Sequence, residues 1–168
     1  MLGGAGSGKS AFAEALVLKS RNSATYIATA QAFDDEMREK ISQHQARRGD
    51  EWITVEAPLE LADAVAGLSL QRPALLDCVT LWLSNQLLAE AEIEVEEARL
   101  LAAIDACAVP LTVVSNEVGH GIVPENALAR RFRQRQGWLN QALAARADTV
   151  VMVVAGLPQV LKGDVPDG

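Results

Sequence analysis

An α/β fold on a mostly parallel sheet is what this sequence predicts, and three observations predict it. Apolar runs of strand length alternate with stretches of helical periodicity along the chain. Several of those runs, such as "VPLTVVS" and "DTVVMVV", are continuous and β-branched, as strands covered on both faces are. A glycine-rich segment, "GGAGSGKS" from Gly3 to Ser10, leads straight into the helical pattern "SAFAEALVLKS". Together these specify a phosphate-loop α/β fold (P-loop NTPase-type, RecA-like), with helices flanking the sheet.

The elements follow in order. Only Met1 and Leu2 precede Gly3, so the strand leading into the loop is either very short or begins before Met1. A helix is expected over 9–21, then a strand in "ATYIATA" (24–30) that ends in small residues. Residues 34–48 read as a helix, with Asp34, Asp35 and Glu36 at its start and Arg47 and Arg48 at its end, as the helix dipole favours. "EWITVEAP" (51–58) alternates as a strand until Pro58 stops it, and a helix is expected over 59–68. "RPALLDC" (72–78) is a short buried strand ending near Asp77, followed by helices over 79–90 and 93–107. The apolar run "VPLTVVSNEVG" (109–119) enters a polar loop, a basic amphipathic helix covers 125–146, and "DTVVMVVAG" (148–156) is one more strand. The closing "QVLKGDVPDG" reads as a frayed tail. With no repeat, low-complexity segment or Gly/Pro/Ser-rich linker, residues 1–168 are expected to form a single domain.

Bulk properties exclude several classes. A net charge of −7 and a pI near 4.8 argue against a nucleic-acid surface, though not against a local cationic pocket for small phosphates. Cys78 and Cys107 lack CxxC spacing, so they read as buried thiols and not as a zinc or dithiol site. No apolar run reaches the ~18 residues of a spanning helix. No signal-peptide pattern opens the sequence, so the cytoplasm is the expected compartment and no membrane partner is expected.

The strongest chemical signal is the loop itself. Gly3, Gly8, Lys9 and Ser10 occupy the fixed positions of G-x-x-x-x-G-K-[ST]. Glycines let the backbone curl so that several N–H groups point at one phosphate, and the following helix adds its positive end. Lys9 would neutralise the β- and γ-phosphates and Ser10 would hold Mg²⁺. Asp77 ends a buried run, where a carboxylate needs a partner; it reads as the second Mg²⁺ residue, or more blandly as a cap for the next helix.

His44 is ambiguous from spacing alone. Met37, Ile41, His44 and Arg48 share one helix face, which usually means a solvated histidine. A neutral imidazole with an arginine one turn away could equally attack phosphorus. "SNEVGHGIVPEN" (115–126) follows a strand and lies on the edge where open α/β sheets bind ligands, which makes Asn116 and Glu117 candidate substrate contacts. Gly119 and Gly121 would allow close approach there, and His120 reads as an exposed loop residue. Arg130, Arg131, Arg133 and Arg135 form a basic run that most simply faces solvent, and Trp52, Trp82 and Trp138 read as core or interface residues.

Taken together, "GGAGSGKS", "YIATAQAFDDEM", "ISQHQARR", "LLDCVTLWLSN", "SNEVGHGIVPEN", "LARRFR" and "GWLNQALAARAD" resemble one family. It is the bifunctional adenosylcobinamide kinase/adenosylcobinamide-phosphate guanylyltransferase family of cobalamin biosynthesis, and the resemblance runs from residue 3 to about 162. It implies that His44 attacks the α-phosphate of GTP and carries GMP. It also implies nucleotide contacts at Gly3, Gly4, Ala5, Gly6, Ser7, Gly8, Lys9 and Ser10, at Ala28, Thr29 and Ala30, at Gln45, Ala46, Arg47 and Arg48, and at Glu56 and Asp77. The implied cofactors are GTP, ATP and Mg²⁺, the substrates adenosylcobinamide and its phosphate, and the assembly a homo-oligomer such as a trimer. Gly6 departs from the family, which usually has arginine there. Two other readings compete: a small-molecule kinase with His44 a bystander, and a GTP-binding switch, which would carry the Asn-Lys-x-Asp stretch that this sequence lacks.

Overall fold

A computed structural model describes residues 1–20, 23–31, 39 and 49–165. Among them, seven strands form one sheet: β1 (Leu2–Gly3), β2 (Ala24–Ala28), β3 (Trp52–Glu56), β4 (Ala74–Asp77), β5 (Leu111–Asn116), β6 (Val150–Val154) and β7 (Leu157–Lys162). The helices are α1 (Lys9–Ser20), α2 (Leu61–Ala66), α3 (Val79–Leu88), α4 (Ile93–Asp105) and α5 (Ala127–Arg146). The sheet order is β3-β2-β4-β5-β1-β6-β7, parallel throughout except for the final β6–β7 pair. The mostly parallel α/β sheet read from the sequence is therefore present. The helix expected over 34–48 lies outside the described residues.

Period-2 alternation sorts each strand onto two faces. On one face Tyr26, Leu75 and Val114 pack with Ala13 and Val17 of α1. On the other, Ile27, Leu76 and Val113 pack with Trp82 and Leu83 of α3 and Leu139 of α5. The β-branched runs are continuous because both faces are covered. Trp82 is buried and donates its indole N–H to the Leu59 carbonyl at 2.9 Å, while Trp52 meets Tyr26 edge to face at 5.5 Å. Trp138 is half exposed, with the Arg135 guanidinium 5.2 Å from its ring centre, so a core role is excluded for it.

The frayed tail is not what forms. Residues 157–162 turn back as β7 and pair antiparallel with β6. The connection is two residues long, and both Ala155 (φ 51) and Gly156 (φ 77) take the left-handed conformation that a two-residue hairpin of matching twist requires. β7 is exposed along its whole length and carries Pro158, which a sheet edge tolerates.

Leu76 has no exposed surface and sits in the middle of the larger core cluster. Leu76→Ala should lower stability by about 2–5 kcal/mol. A urea melt should show this as a fall in midpoint with unchanged slope.

Candidate functional site

The site is built on β1. Only two residues long, this strand lies between β5 and β6, with Leu2 in register with both Ser115 and Met152 and Gly3 in register with Asn116. The chain leaves it as a tight loop. The Ser7 N–H donates to the Gly4 carbonyl at 3.3 Å, and the Phe12 N–H donates to the Gly8 carbonyl at 3.0 Å as α1 begins. Gly6 (φ 68) and Gly8 (φ 90) both have positive φ, which suits glycine at the fixed position Gly8 and also at Gly6, which the motif leaves open. At Gly6 the backbone itself favours glycine over the arginine usual in the family. Gly3 is required for a different reason: a Cβ there would stand 2.5 Å from Ser7 Oγ and 2.6 Å from the Val153 carbonyl.

The β6–β7 hairpin props this loop, a part the sequence reading missed. The Gly156 N–H donates to the Ser7 carbonyl at 2.8 Å, and a Cβ on Gly8 would come within 3.2 Å of the Gly156 Cα. The Lys9 ammonium is buried and donates to the Gly4 carbonyl at 3.2 Å, across the mouth of the loop. Ser10 follows it in the first turn of α1. Ser7 Oγ is buried with no hydrogen-bond partner.

Asp77 ends β4, two strands away from β1, so about 10 Å of sheet separates them. It points to the α1 face, as Leu75 does, and its Oδ2 accepts from the Tyr26 hydroxyl at 2.7 Å. That bond satisfies one lone pair and leaves the carboxylate facing the loop's side of the sheet. Asp77 does not cap the following helix: the cap residue is Cys78, with no side-chain bond at the cap.

Residues 28–30 are fixed from beneath by a buried network. The Thr29 hydroxyl donates to the Cys78 carbonyl at 2.8 Å and accepts from the Cys78 N–H at 2.9 Å. Asn85 Nδ2 donates to the carbonyls of Thr29 at 2.8 Å and Pro58 at 3.0 Å. Ala28, Thr29 and Ala30 thus lie beside Asp77 at the carboxyl edge. Glu56, in register with Ala28, is exposed at the end of the edge strand β3. His44, Gln45, Ala46, Arg47 and Arg48 lie outside the described residues.

The loop after β5 is tied to both sides. The Glu117 N–H donates to the Gly3 carbonyl at 3.1 Å, and its carboxylate accepts from the Gly119 N–H at 2.5 Å. From α5, Arg133 donates to the Gly119 carbonyl and Arg130 to the carbonyls of Pro124 at 3.0 Å and Glu125 at 2.5 Å. Arg135 pairs with Glu94 at 2.9 Å and with Glu97. Of the four arginines read as a solvated face, Arg133 and Arg135 are therefore partly buried clamps, while Arg130 and Arg131 are exposed as expected. His120 is exposed, as expected.

A family model described as "Cobinamide kinase / cobinamide phosphate guanyltransferase" matches residues 1–161. The bifunctional adenosylcobalamin biosynthesis protein CobP of Pseudomonas aeruginosa is 46% identical, the alignment covering 98% of this chain and 96% of that protein. The bifunctional adenosylcobalamin biosynthesis protein CobU of Escherichia coli is 40% identical, covering 95% of this chain and 97% of that one, and that of Salmonella typhimurium 41% over the same shares. Among solved structures, a KaiC-like protein from Pyrococcus horikoshii superposes with a TM-score of 0.49 at 11% identity, over 90% of this chain and 68% of that one. No helix among the described residues is long and apolar enough to cross a membrane.

Cys78 borders the site and offers a direct check of its burial. Burial first, and the neighbouring Asp77 charge second, push its thiol up to about 11. At pH 8 a disulfide reagent should therefore react with Cys107, which is half-buried, and reach Cys78 only on unfolding. A thiol whose folded pKa is raised also loses stability for the protein as pH climbs from about 9 towards 11, so the wild-type melting temperature should fall across that window more than that of Cys78→Ala.

Proposed function

The chain belongs to the cobinamide kinase / cobinamide phosphate guanyltransferase family, and from that premise we propose that one domain phosphorylates adenosylcobinamide and then converts the product to adenosylcobinamide-GDP. The observation that carries this reading is the folded phosphate loop at the end of the inner strand β1, with Asp77 at the same edge of the sheet.

In the kinase half, the N–H groups of Gly4 to Ser10 and the positive end of α1 receive the phosphates of ATP or GTP. Lys9, already lying across the loop, offsets charge on the β- and γ-phosphates. Ser10 and Asp77 are the residues that would hold Mg²⁺. The described residues contain no cluster of three or more metal-ligating acids, histidines or cysteines. The two oxygen donors named suit a cation that would keep most of its water. Held there, Mg²⁺ would offset negative charge building up during phosphoryl transfer.

In the transferase half, an imidazole nitrogen of His44 attacks the α-phosphorus of GTP. The bond to the α–β bridging oxygen breaks and pyrophosphate leaves. A phosphate oxygen of adenosylcobinamide phosphate then attacks the same phosphorus and displaces the histidine. Gln45, Ala46, Arg47 and Arg48 flank the nucleophile, and Ala28, Thr29, Ala30 and Glu56 complete the nucleotide's surroundings. Exposed apolar side chains on both edge strands, Ile53 and Val55 on β3 and Leu157, Val160 and Leu161 on β7, support a homo-oligomer.

Incubation with GTP and Mg²⁺ should add the mass of GMP to the intact wild-type protein and none to His44→Ala. The adduct should be lost in acid and survive base, as a phosphoramidate does. Its formation should slow as pH falls below the ~6.5 of an ordinary imidazole, because only the neutral ring attacks. An unmodified wild-type protein that still phosphorylates adenosylcobinamide would leave the simple kinase as the correct account. Lys9→Ala should lower phosphorylation at least 10²-fold in an assay of nucleotide turnover, on the order expected for loss of one charge-stabilising group.

A further inference from the structure

Asn116, a candidate substrate contact by its place at the end of β5, has no part in either half-reaction above. It is the last residue of β5, the strand that lies between β1 with its phosphate loop and β4 with Asp77. Its Cα is in register with Gly3, and Val114, two residues back, is in register with Asp77. Val114 packs on the α1 face, so alternation puts the Asn116 side chain on that face too. The face is shared with Asp77 and with the start of α1 at Lys9 and Ser10. Ser115 points the other way, into a buried cluster: its hydroxyl donates to Asn140 Oδ1 at 2.6 Å and accepts from Gln136 Nε2 at 2.9 Å.

The backbone of Asn116 is held on both sides. Its N–H donates to Thr80 Oγ1 at 2.7 Å and its carbonyl accepts from Asn140 Nδ2 at 3.1 Å. The next N–H, that of Glu117, is bonded to Gly3 itself. The side-chain amide is different: Oδ1 is buried and has no hydrogen-bond partner. A buried acceptor without a donor is costly, so an unsatisfied amide on so firmly held a backbone needs a reason outside the fold.

We propose that Asn116 is a catalytic residue of the kinase step, whose amide bridges the terminal phosphoryl group of the nucleotide and the attacking alcohol of the acceptor. This rests on the kinase reading given above. Nδ2 donates to an equatorial oxygen of the γ-phosphoryl group, where charge gathers as transfer proceeds. The half-buried side chain, fixed by no hydrogen bond among the described residues, turns as substrate binds, so that Oδ1 accepts from the alcohol O–H and turns that oxygen's lone pair toward phosphorus. The alcohol oxygen bonds to the γ-phosphorus, and the bond from phosphorus to the β–γ bridging oxygen breaks. The nucleoside diphosphate leaves with that electron pair, and the alcohol proton passes to an oxygen of the transferred phosphoryl group. The amide takes no proton. The guanylyl step attacks the α-phosphorus and has no use for this residue.

The test compares wild type, Asn116→Ala and Asn116→Asp in three measurements: steady-state phosphorylation of adenosylcobinamide with ATP or GTP, GMP-adduct formation from GTP, and thermal melting. Asn116→Ala should lower the kcat of phosphorylation on the order of 10²-fold or more, as loss of a single transition-state donor does. The KM for nucleotide and the rate of adduct formation should stay within about threefold, the change expected when an interaction is made only in the transition state. Melting should be unchanged or raised, because the substitution removes a buried atom that has no partner. Asn116→Asp keeps the shape but sets a negative charge against the γ-phosphoryl group, and should be at least as slow. A kcat within twofold of wild type in Asn116→Ala overturns the proposal. So does a parallel loss of phosphorylation, adduct formation and melting temperature, which would make Asn116 a structural residue. Wild-type protein that forms the adduct but never phosphorylates adenosylcobinamide would instead overturn the kinase reading on which this rests.

Discussion

The insertion of β1 between β5 and β6 is the constraint on which the rest of the site depends. A strand of two residues has almost no stability of its own. It is held because both neighbours pair with it, and because bonds continue past its end on each side. Glu117 reaches the Gly3 carbonyl from β5's loop, and Gly156 reaches the Ser7 carbonyl from the β6–β7 hairpin. The phosphate loop is thus fastened at its entry and again at its middle. A loop whose N–H groups must converge on one phosphate works only if it does not have to be ordered by the ligand, since that ordering would reduce affinity. The hairpin, which lies farthest from the chemistry in sequence, is therefore part of the site's rigidity.

A second constraint runs through the buried side chains of Thr80, Ser115, Gln136 and Asn140. They join α3, β5 and α5 by hydrogen bonds between side chains and to the backbone of Asn116. Polar groups in a core must be matched to be tolerated, and matching sets geometry more tightly than apolar contact does. The cluster lies directly beneath the end of β5, so the alignment of helix α5 and the aim of Asn116 are coupled. Arg130 and Arg133 extend the same coupling along α5 to the loop at 119–125.

What could be read from the sequence was what is local. The glycine spacing from Gly3 to Ser10, the run ending at Asp77 and the alternation of strand and helix each carry their signal within ten residues. The structure keeps all three. The β6–β7 hairpin was missed because Ala155–Gly156 lacks the Asn-Gly or Asp-Gly pair that marks such turns. β7 also has no buried face to impose alternation, and Pro158 reads as a breaker. Asn85 gave no warning of its role, since whether a polar helix residue meets solvent or the carbonyls of Thr29 and Pro58 depends on packing across more than 25 residues. The arginines of α5 misled for a related reason. Charge suggests solvent for all of them, yet Arg133 and Arg135 meet a carbonyl and acids distant in sequence. His44 was assigned by resemblance and not by spacing, and it lies outside the described residues.

The electrostatics explain how an acidic chain can hold triphosphates. With a net charge of −7, the field of the whole protein repels them. At physiological salt that repulsion fades beyond roughly 8 Å, so the nearest groups decide. Near the loop, the described arginines of α5 are largely committed elsewhere: Arg130 and Arg133 to carbonyls, Arg135 to Glu94 and Glu97, Arg146 to Asp105. Among the described residues, what remains at the phosphate end is Lys9, the converging N–H groups of the loop and the start of α1. These are short-range and directional. They favour a phosphate seated in the loop over one merely near the surface, and they add little attraction for a polyanion such as nucleic acid. A donor amide at Asn116 belongs to the same design. It carries no net charge, acts only at contact distance, and discriminates by position where a cation would attract from afar.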